Sequence, residues 1–222
     1  SRSPARVVLA VVAWALFACA PLIWMMLTSI KHPVDAFALP PRLVFDVTFD
    51  AYAQLWRDEG MGRYLLNSLI VATLATFIAV ALAAPAGYAL ARIGGRWSAA
   101  LLIIALLFRT MPRMAFVAPF YAIARATNLY DTHLILIVSL VAINQPFLVW
   151  MFHSFYRDMP RAIDEAAMMD GCSQAEAFWR VILPAGAPAL VTGFLFAFLL
   201  SFHEFLLPAT LAGTQAATAP VL

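Results

Sequence analysis

Charge is scarce in this 222-residue sequence: Lys31 is its sole lysine, and charged residues make up only 12% of it. Soluble domains carry about 25% charged residues. So few charges cannot clothe a soluble globule. Cysteine is scarce too. Cys19 and Cys172 lie far apart in unlike contexts, which gives neither a disulfide framework nor a thiolate metal site. G-x-x-x-x-G-K-[ST] does not occur, so this chain is not itself a P-loop ATPase. H-E-x-x-H and C-x-x-C are also missing, and no nucleophile–base cluster stands out. A net charge of +2 is too small to point to nucleic acid.

What is present is apolar. Hydrophobic residues reach 64%, and they come in runs near the roughly 20 residues that cross a bilayer as a helix. The composition predicts an all-α, multi-spanning membrane protein. Five spans are expected, at 7–30, 65–91, 97–124, 133–155 and 188–212. The basic head "SRSPAR" resembles that of a signal peptide, but the run after it is too long, and it reads as a retained span. Pro21 is expected to kink the first span, and Pro112 within "FRTMPRM" the third. Residues 32–63 read as an exposed loop with one short helix near Tyr52–Trp56. "RIGGR" and "TNLYDT" read as turns, with Arg125 and Asp131 marking a boundary.

The arginines near the span ends bias the N-terminus, residues 1–6, toward the cytoplasm. That orientation makes 32–63 extracytoplasmic. It leaves residues 158–184 in the cytoplasm, between spans four and five. Five spans strand the C-terminus outside, and a sixth span beyond this sequence is expected to bring it back.

The 158–184 segment interrupts the apolar chain with "EAAMMDGCSQAEAFWRVILP". Asp158 is expected to cap a first helix, with Pro160 in its opening turn. Gly171 is suited to stop that helix in a left-handed conformation. Ser173 and Glu176 have the spacing of a capping box, so a second helix begins at once and runs to Pro184. Ile163, Ala166, Ala167 and Met169 give the first helix a small-residue apolar side, while Asp164, Glu165 and Asp170 give it acidic edges. Local physics leaves two readings open: a helix that docks into another protein's groove, or a linker that redirects the chain.

At this point the pattern resembles a known family. Glu165, Ala166, Ala167, Gly171, Val181, Leu183 and Pro184 match the signature loop of permease subunits in binding-protein-dependent ABC importers. Asp170 and Phe178 are similar to the carbohydrate-uptake branch. "SIKHPVDAF", "NSLIVA", "GYALARI" and "SFHEFLLPATL" look like the second permease of maltose-type systems. Cys172 stands where Ala is frequent, and His203 where Asn is frequent.

The resemblance implies the transmembrane domain of a type I ABC importer in a bacterial or archaeal cytoplasmic (inner) membrane. The implied partners are a second permease, two ATPase subunits, an extracytoplasmic solute-binding protein and the lipid bilayer. No cofactor is implied on this chain; ATP and Mg belong to the ATPases. Asp164, Glu165, Ala166, Ala167, Met169, Asp170 and Gly171 are then the ATPase-coupling residues of a non-catalytic subunit.

Candidates for the solute path are polar residues within spans, which cannot face lipid cheaply. Asn144 and Gln145 suit either sugar hydroxyls or helix–helix contacts, and Asn67 reads as a helix–helix contact. His203 and Glu204 are adjacent and so do not form an obvious metal pair. Either a helix–helix contact or a position near the path fits them. Arg109 falls inside the third span or at a cavity edge. A sugar is the expected solute. Glycerol phosphate or another organic solute is the alternative, favoured if Arg109 or Arg113 faces the cavity. An ion-coupled secondary transporter is a further rival, and it needs a deep carboxylate such as Glu204.

Overall fold

The computed structural model describes residues 4–221, with side chains from Val7 onward. Among the described residues every regular element is helical, apart from one isolated bridge between Lys31 and Val47. The chain divides into two compact units, 1–61 and 62–222.

The first unit holds α1 (Pro4–Ser29), α2 (Pro33–Ala36) and α3 (Asp50–Arg57). α1 is apolar on all sides and exposed along most of its length, as suits a helix whose surroundings are lipid or other spans. The lone lysine closes the loop after it. The buried Lys31 Nζ donates to Arg42 O at 2.7 Å and lies over the rings of Trp24 and Phe45, a cation–π arrangement that compensates for lost hydration.

The second unit begins with α4 (Met61–Ile93), α5 (Gly95–Thr110), α6 (Met114–Ala126) and α7 (His133–Asp158). After the polar segment come α11 (Ala187–Phe202) and α12 (Leu206–Leu211). Three helices, one of them in the first unit, are long and apolar enough to cross a membrane: α1 from Val7, α4 and α7. The number rises to five if each of two bent helix pairs counts as one span. The chain is thus an all-α, multi-spanning membrane protein.

α4 has 33 residues and is about 50 Å long at 1.5 Å per residue. A hydrocarbon core is about 30 Å thick, so α4 projects beyond it and reaches structure at both ends of the bundle. Its buried stripe is mostly small: Ala72, Ala75, Ala79, Ala83, Ala84 and Ala91. Small residues let helix backbones approach closely in a membrane. Gly87 marks the tightest approach. A β-carbon there would lie 2.7 Å from Phe152 Cβ and 2.8 Å from His153 N on α7.

Two expected spans differ from a simple helix. The third is two helices meeting at 92°, not one kinked helix. Pro112 lacks an N–H and biases the residue before it away from helix; Met111 is accordingly extended, at φ −64° and ψ 142°. The fifth stops at Phe202 rather than running to 212. His203–Phe205 break it, and Glu204 Oε1 then accepts the Leu206 N–H at 3.1 Å to start α12.

Candidate functional site

The polar segment starts later than the sequence suggests. α7 continues through Asp158, so Asp158 is not the N-cap of the next helix. Met159 is extended ahead of Pro160 and ends α7, as the residue before a proline tends to do. The next helix, α8 (Ala162–Met169), is flanked by Arg161, which makes no side-chain capping bond.

The corner after α8 has a specific geometry. Gly171 adopts φ +91°, where only glycine sits without strain. Cys172 N donates to Ala167 O and Gly171 N to Met168 O, at 3.1 and 3.0 Å. These two bonds form a Schellman motif that satisfies the final carbonyls of the helix. Ser173 then caps α9 (Gln174–Ala177) with a complete capping box: Ser173 N donates to Glu176 Oε2 at 2.9 Å, and Glu176 N to Ser173 Oγ. The helical path continues through a π-turn (Phe178–Ile182) and α10 (Leu183–Ala185). It meets α11 at a bend of 75°.

α8 has two unlike faces. Glu165, Ala166, Met169 and Asp170 are exposed, Met169 to 89%, and the corner residue Gly171 is exposed as well. Ala167 and Asp164 are buried. Asp164 is therefore not an acidic edge of the exposed face. It points into the bundle, because a basic partner waits there. Arg92 Nη2 lies 2.6 Å from Asp164 Oδ2, with both side chains 8% exposed. The Tyr88 hydroxyl donates to Asp164 Oδ1 at 2.5 Å. Arg92 also donates to Tyr156 O at 2.8 Å and to Met159 O at 3.4 Å, while Arg161 donates to Arg92 O at 3.2 Å. Phe178 covers the group, its ring 4.8 Å from that of Tyr88 and 6.2 Å from that of Tyr156. Screening is weak in such a place, so a satisfied pair is strong and an unpaired member costly.

The sequence alone places Tyr88 and Arg92 in the "GYALARI" stretch and Arg92 among the orienting arginines, but it assigns neither a side-chain partner. The available signal was their i, i+4 spacing at the end of a long helix, which sets both on one face.

The solute-path candidates separate. Asn144 is buried and donates to Ser201 Oγ at 2.9 Å, which ties α7 to α11. Gln145 donates to Ala79 O at 3.1 Å and also lines a cavity of about 340 Å³ at the α5–α6 break, together with Arg109, Arg113 and Pro146. Arg113 is shared with a second recess of about 470 Å³ that includes His203 and Glu204. Glu204 is buried and forms an ion pair with Arg113. His203 is exposed, and its Nδ1 lies 2.9 Å from Leu199 O. Arg109 sits over the Phe147 ring at 5.5 Å and has no carboxylate within 4.0 Å among the described residues. The described residues include no cluster of three or more His, Cys, Asp or Glu able to hold a metal.

At the other end of the bundle, Asn67 donates to Gln215 O and Ala217 O and meets His133 Nε2 through Oδ1. Asp131 gathers the backbone N–H groups of residues 213–216. Sequence reading treated Asp131 as a boundary marker, since a carboxylate's backbone partners leave no side-chain pattern.

Known proteins resemble this arrangement along nearly the whole chain. Residues 79–222 match the family described as binding-protein-dependent transport system inner membrane component. A probable ABC transporter permease protein, y4oR, of Sinorhizobium fredii is 33% identical over 94% of this chain and 77% of its own length. The trehalose transport system permease protein SugB of Mycobacterium tuberculosis is 34% identical over 92% and 75%. The crystal structure of a bacterial ABC transporter involved in alginate import contains a chain that superposes with a TM-score of 0.78. That match covers 99% of this chain and 79% of the other at 21% identity, a likeness of fold. The chain belongs to the family of binding-protein-dependent transport system inner membrane components.

Proposed function

We propose that this permease pairs with a second permease to form the import path for a sugar, and that α8 couples the path to a separate ATPase. The observation that carries the coupling is the exposed side of α8. Glu165, Ala166 and Met169 stand outward on a short helix whose opposite face is anchored in the bundle. A protruding helix with an apolar centre and a polar rim suits insertion into a groove of another protein. On this reading ATP and Mg stay on two ATPase subunits and a solute-binding protein delivers the sugar. The chain lies in a bacterial or archaeal inner membrane, with its N-terminus and α8 on the cytoplasmic side.

Several relatives support a sugar through their names. SugB is named for trehalose transport, and NgcG of Streptomyces coelicolor, 30% identical, for diacetylchitobiose uptake. A role as the second permease of a maltose-type pair accords with 29% identity to a trehalose/maltose permease named MalG, of Thermococcus litoralis.

The deciding experiment reconstitutes the chain with its partners and measures uptake of labelled trehalose, maltose and diacetylchitobiose alongside ATP hydrolysis. Uptake of one of them, lost together with stimulated ATP hydrolysis in Glu165→Lys, supports the reading. Unchanged stimulation in Glu165→Lys removes the docking role of α8.

One observation favours a second solute class. Arg109 lines the 340 Å³ cavity over an aromatic ring, and its guanidinium brings a positive charge to that space. A phosphorylated or otherwise anionic solute would compensate that charge. Glycerol phosphate in the same uptake panel separates the two classes.

A further inference from the structure

The polypeptide gives α8 two covalent routes into the bundle. One returns directly to α7 through Met159–Arg161. The other leads to α11 through the Gly171 corner, the π-turn and the 75° bend. The second route contains three interruptions of regular helix, so it transmits a push poorly. Neither route reaches α4, which is 76 positions away at Tyr88.

A side-chain route does reach it. Asp164 projects from the inner face of α8 onto Arg92 and Tyr88, one helical turn apart on α4. Arg92 also holds the Tyr156 and Met159 carbonyls at the end of α7 and receives Arg161 on its own carbonyl. One guanidinium thus joins the ends of α4, α7 and α8. Two nitrogens of its planar fork serve different partners, Nη1 the carbonyls at the end of α7 and Nη2 the Asp164 carboxylate, a reach that a lysine ammonium lacks.

We propose that the Tyr88–Arg92–Asp164 joint is the stiff connection by which displacement of α8 moves α4, with Arg92 and Asp164 as positioning residues. The proposal rests on the reading of α8 as the ATPase-docking helix, but it assigns Asp164 an opposite task from its neighbour Glu165. Glu165 faces outward and Asp164 faces inward, so the two adjacent acids serve separate contacts. α4 continues as one helix to the far end of the bundle. There Arg63 donates to Thr214 O, Asn67 to Gln215 O and Ala217 O, and Ser68 Oγ accepts the Ala219 N–H. A shift of α4 at Arg92 is therefore delivered to residues 214–219 without passing through a loop.

The test uses the complete transporter in lipid nanodiscs or proteoliposomes, with the sugar that the wild-type complex imports from the uptake panel. Asp164→Asn and Arg92→Gln are expected to retain the ATPase on co-purification and to keep hydrolysing ATP. Sugar delivered per ATP hydrolysed falls by about tenfold in each, and Arg92→Lys is intermediate because it keeps charge without the fork. Wild-type sugar per ATP in both Asn and Gln variants overturns the proposal. So does release of the ATPase by Asp164→Asn, which would make Asp164 a docking contact.

A second measurement is independent of how these variants fold. Spin labels at the exposed Ala162 and Ile93, in a background lacking Cys19 and Cys172, report the α8–α4 separation. It is expected to stay within about 2 Å between nucleotide-free and ATP–vanadate states, whereas a change of about one helical turn sinks the joint as a stiff link. Loss of the docking reading has a different signature: Glu165→Lys retaining full stimulated hydrolysis.

Discussion

Asp131 accepts the backbone N–H of Gly213 at 2.8 Å across 82 positions of sequence, and the same carboxylate takes the N–H groups of Thr214, Gln215 and Ala216. Four donors converge on one side chain, so residues 213–216 are shaped around a negative charge. Asn67 and Arg63 hold the carbonyls of the same stretch from α4. The loop is consequently built as part of the bundle.

Removing that charge should loosen the loop in a pH-dependent way. Partial burial pushes the Asp131 carboxyl up, but the N–H donors of Ala216, Gly213, Gln215 and Thr214 outweigh it and hold it below the ordinary value of 3.8. A lowered folded-state value means that its stabilisation is complete above the unfolded value and fades as pH falls through the folded one. The thermal midpoint of the wild type should therefore drop below about pH 4. Asp131→Ala should already be destabilised at neutral pH, by about 2–3 kcal/mol for the lost charged hydrogen bonds, and should lack that acid step. Parallel pH profiles of the two proteins would refute the clasp.

Gly87 is predicted to tolerate no side chain. The β-carbon of Gly87→Ala would come within 2.8 Å of the α7 backbone at His153 N, and backbone cannot step aside as a flexible side chain does. The cost should be about 1–3 kcal/mol, the range for overpacking. The thermal midpoint of the purified chain in detergent reads it directly; a midpoint equal to wild type would mean that α4 and α7 do not touch there.

The Arg113–Glu204 pair should respond asymmetrically. The Glu204 side chain is 4% exposed and that of Arg113 is 42% exposed. Arg113→Ala strands a buried carboxylate, and about 2–3 kcal/mol is expected, below the range for fully buried pairs because Arg113 is partly solvated. Adding Glu204→Gln to Arg113→Ala should recover part of that loss, since an amide needs no counter-charge. Further destabilisation by Glu204→Gln in that background, seen in the same melting assay, counts against the pairing.

The apolar runs that became α1, α4 and α7, the Gly171 corner and the Ser173–Glu176 capping box were legible because each rests on local chemistry: apolar run length, positive φ and the S-x-x-E spacing. The polar face of α8 was only half legible. Composition could not say that Asp164 turns inward, because its partner Arg92 lies on another helix. Pro112 pointed to a disturbance in the third span, yet the 92° angle depends on packing of α6 that no local rule contains. The break at His203–Phe205 was hidden within an apolar stretch, and only the Glu204 bond to Leu206 N reveals why a new helix starts there.

Gly171 supplies the sharpest test of the proposal that residues 158–184 serve coupling. Its φ of +91° closes the Schellman motif and delivers Ser173 to the start of α9. Proline fixes φ near −65° and removes the N–H that Gly171 gives to Met168 O. Gly171→Pro should therefore open the corner and misalign α8, abolishing stimulated ATP hydrolysis while the chain still inserts. Gly171→Ala keeps the N–H and pays only the left-handed strain, about 1–2 kcal/mol, so it should retain much of that stimulation. The order Gly, Ala, Pro in stimulated hydrolysis, at equal amounts of chain in the membrane, is the expected outcome. Equal stimulation in all three would show that the corner geometry has no part in coupling.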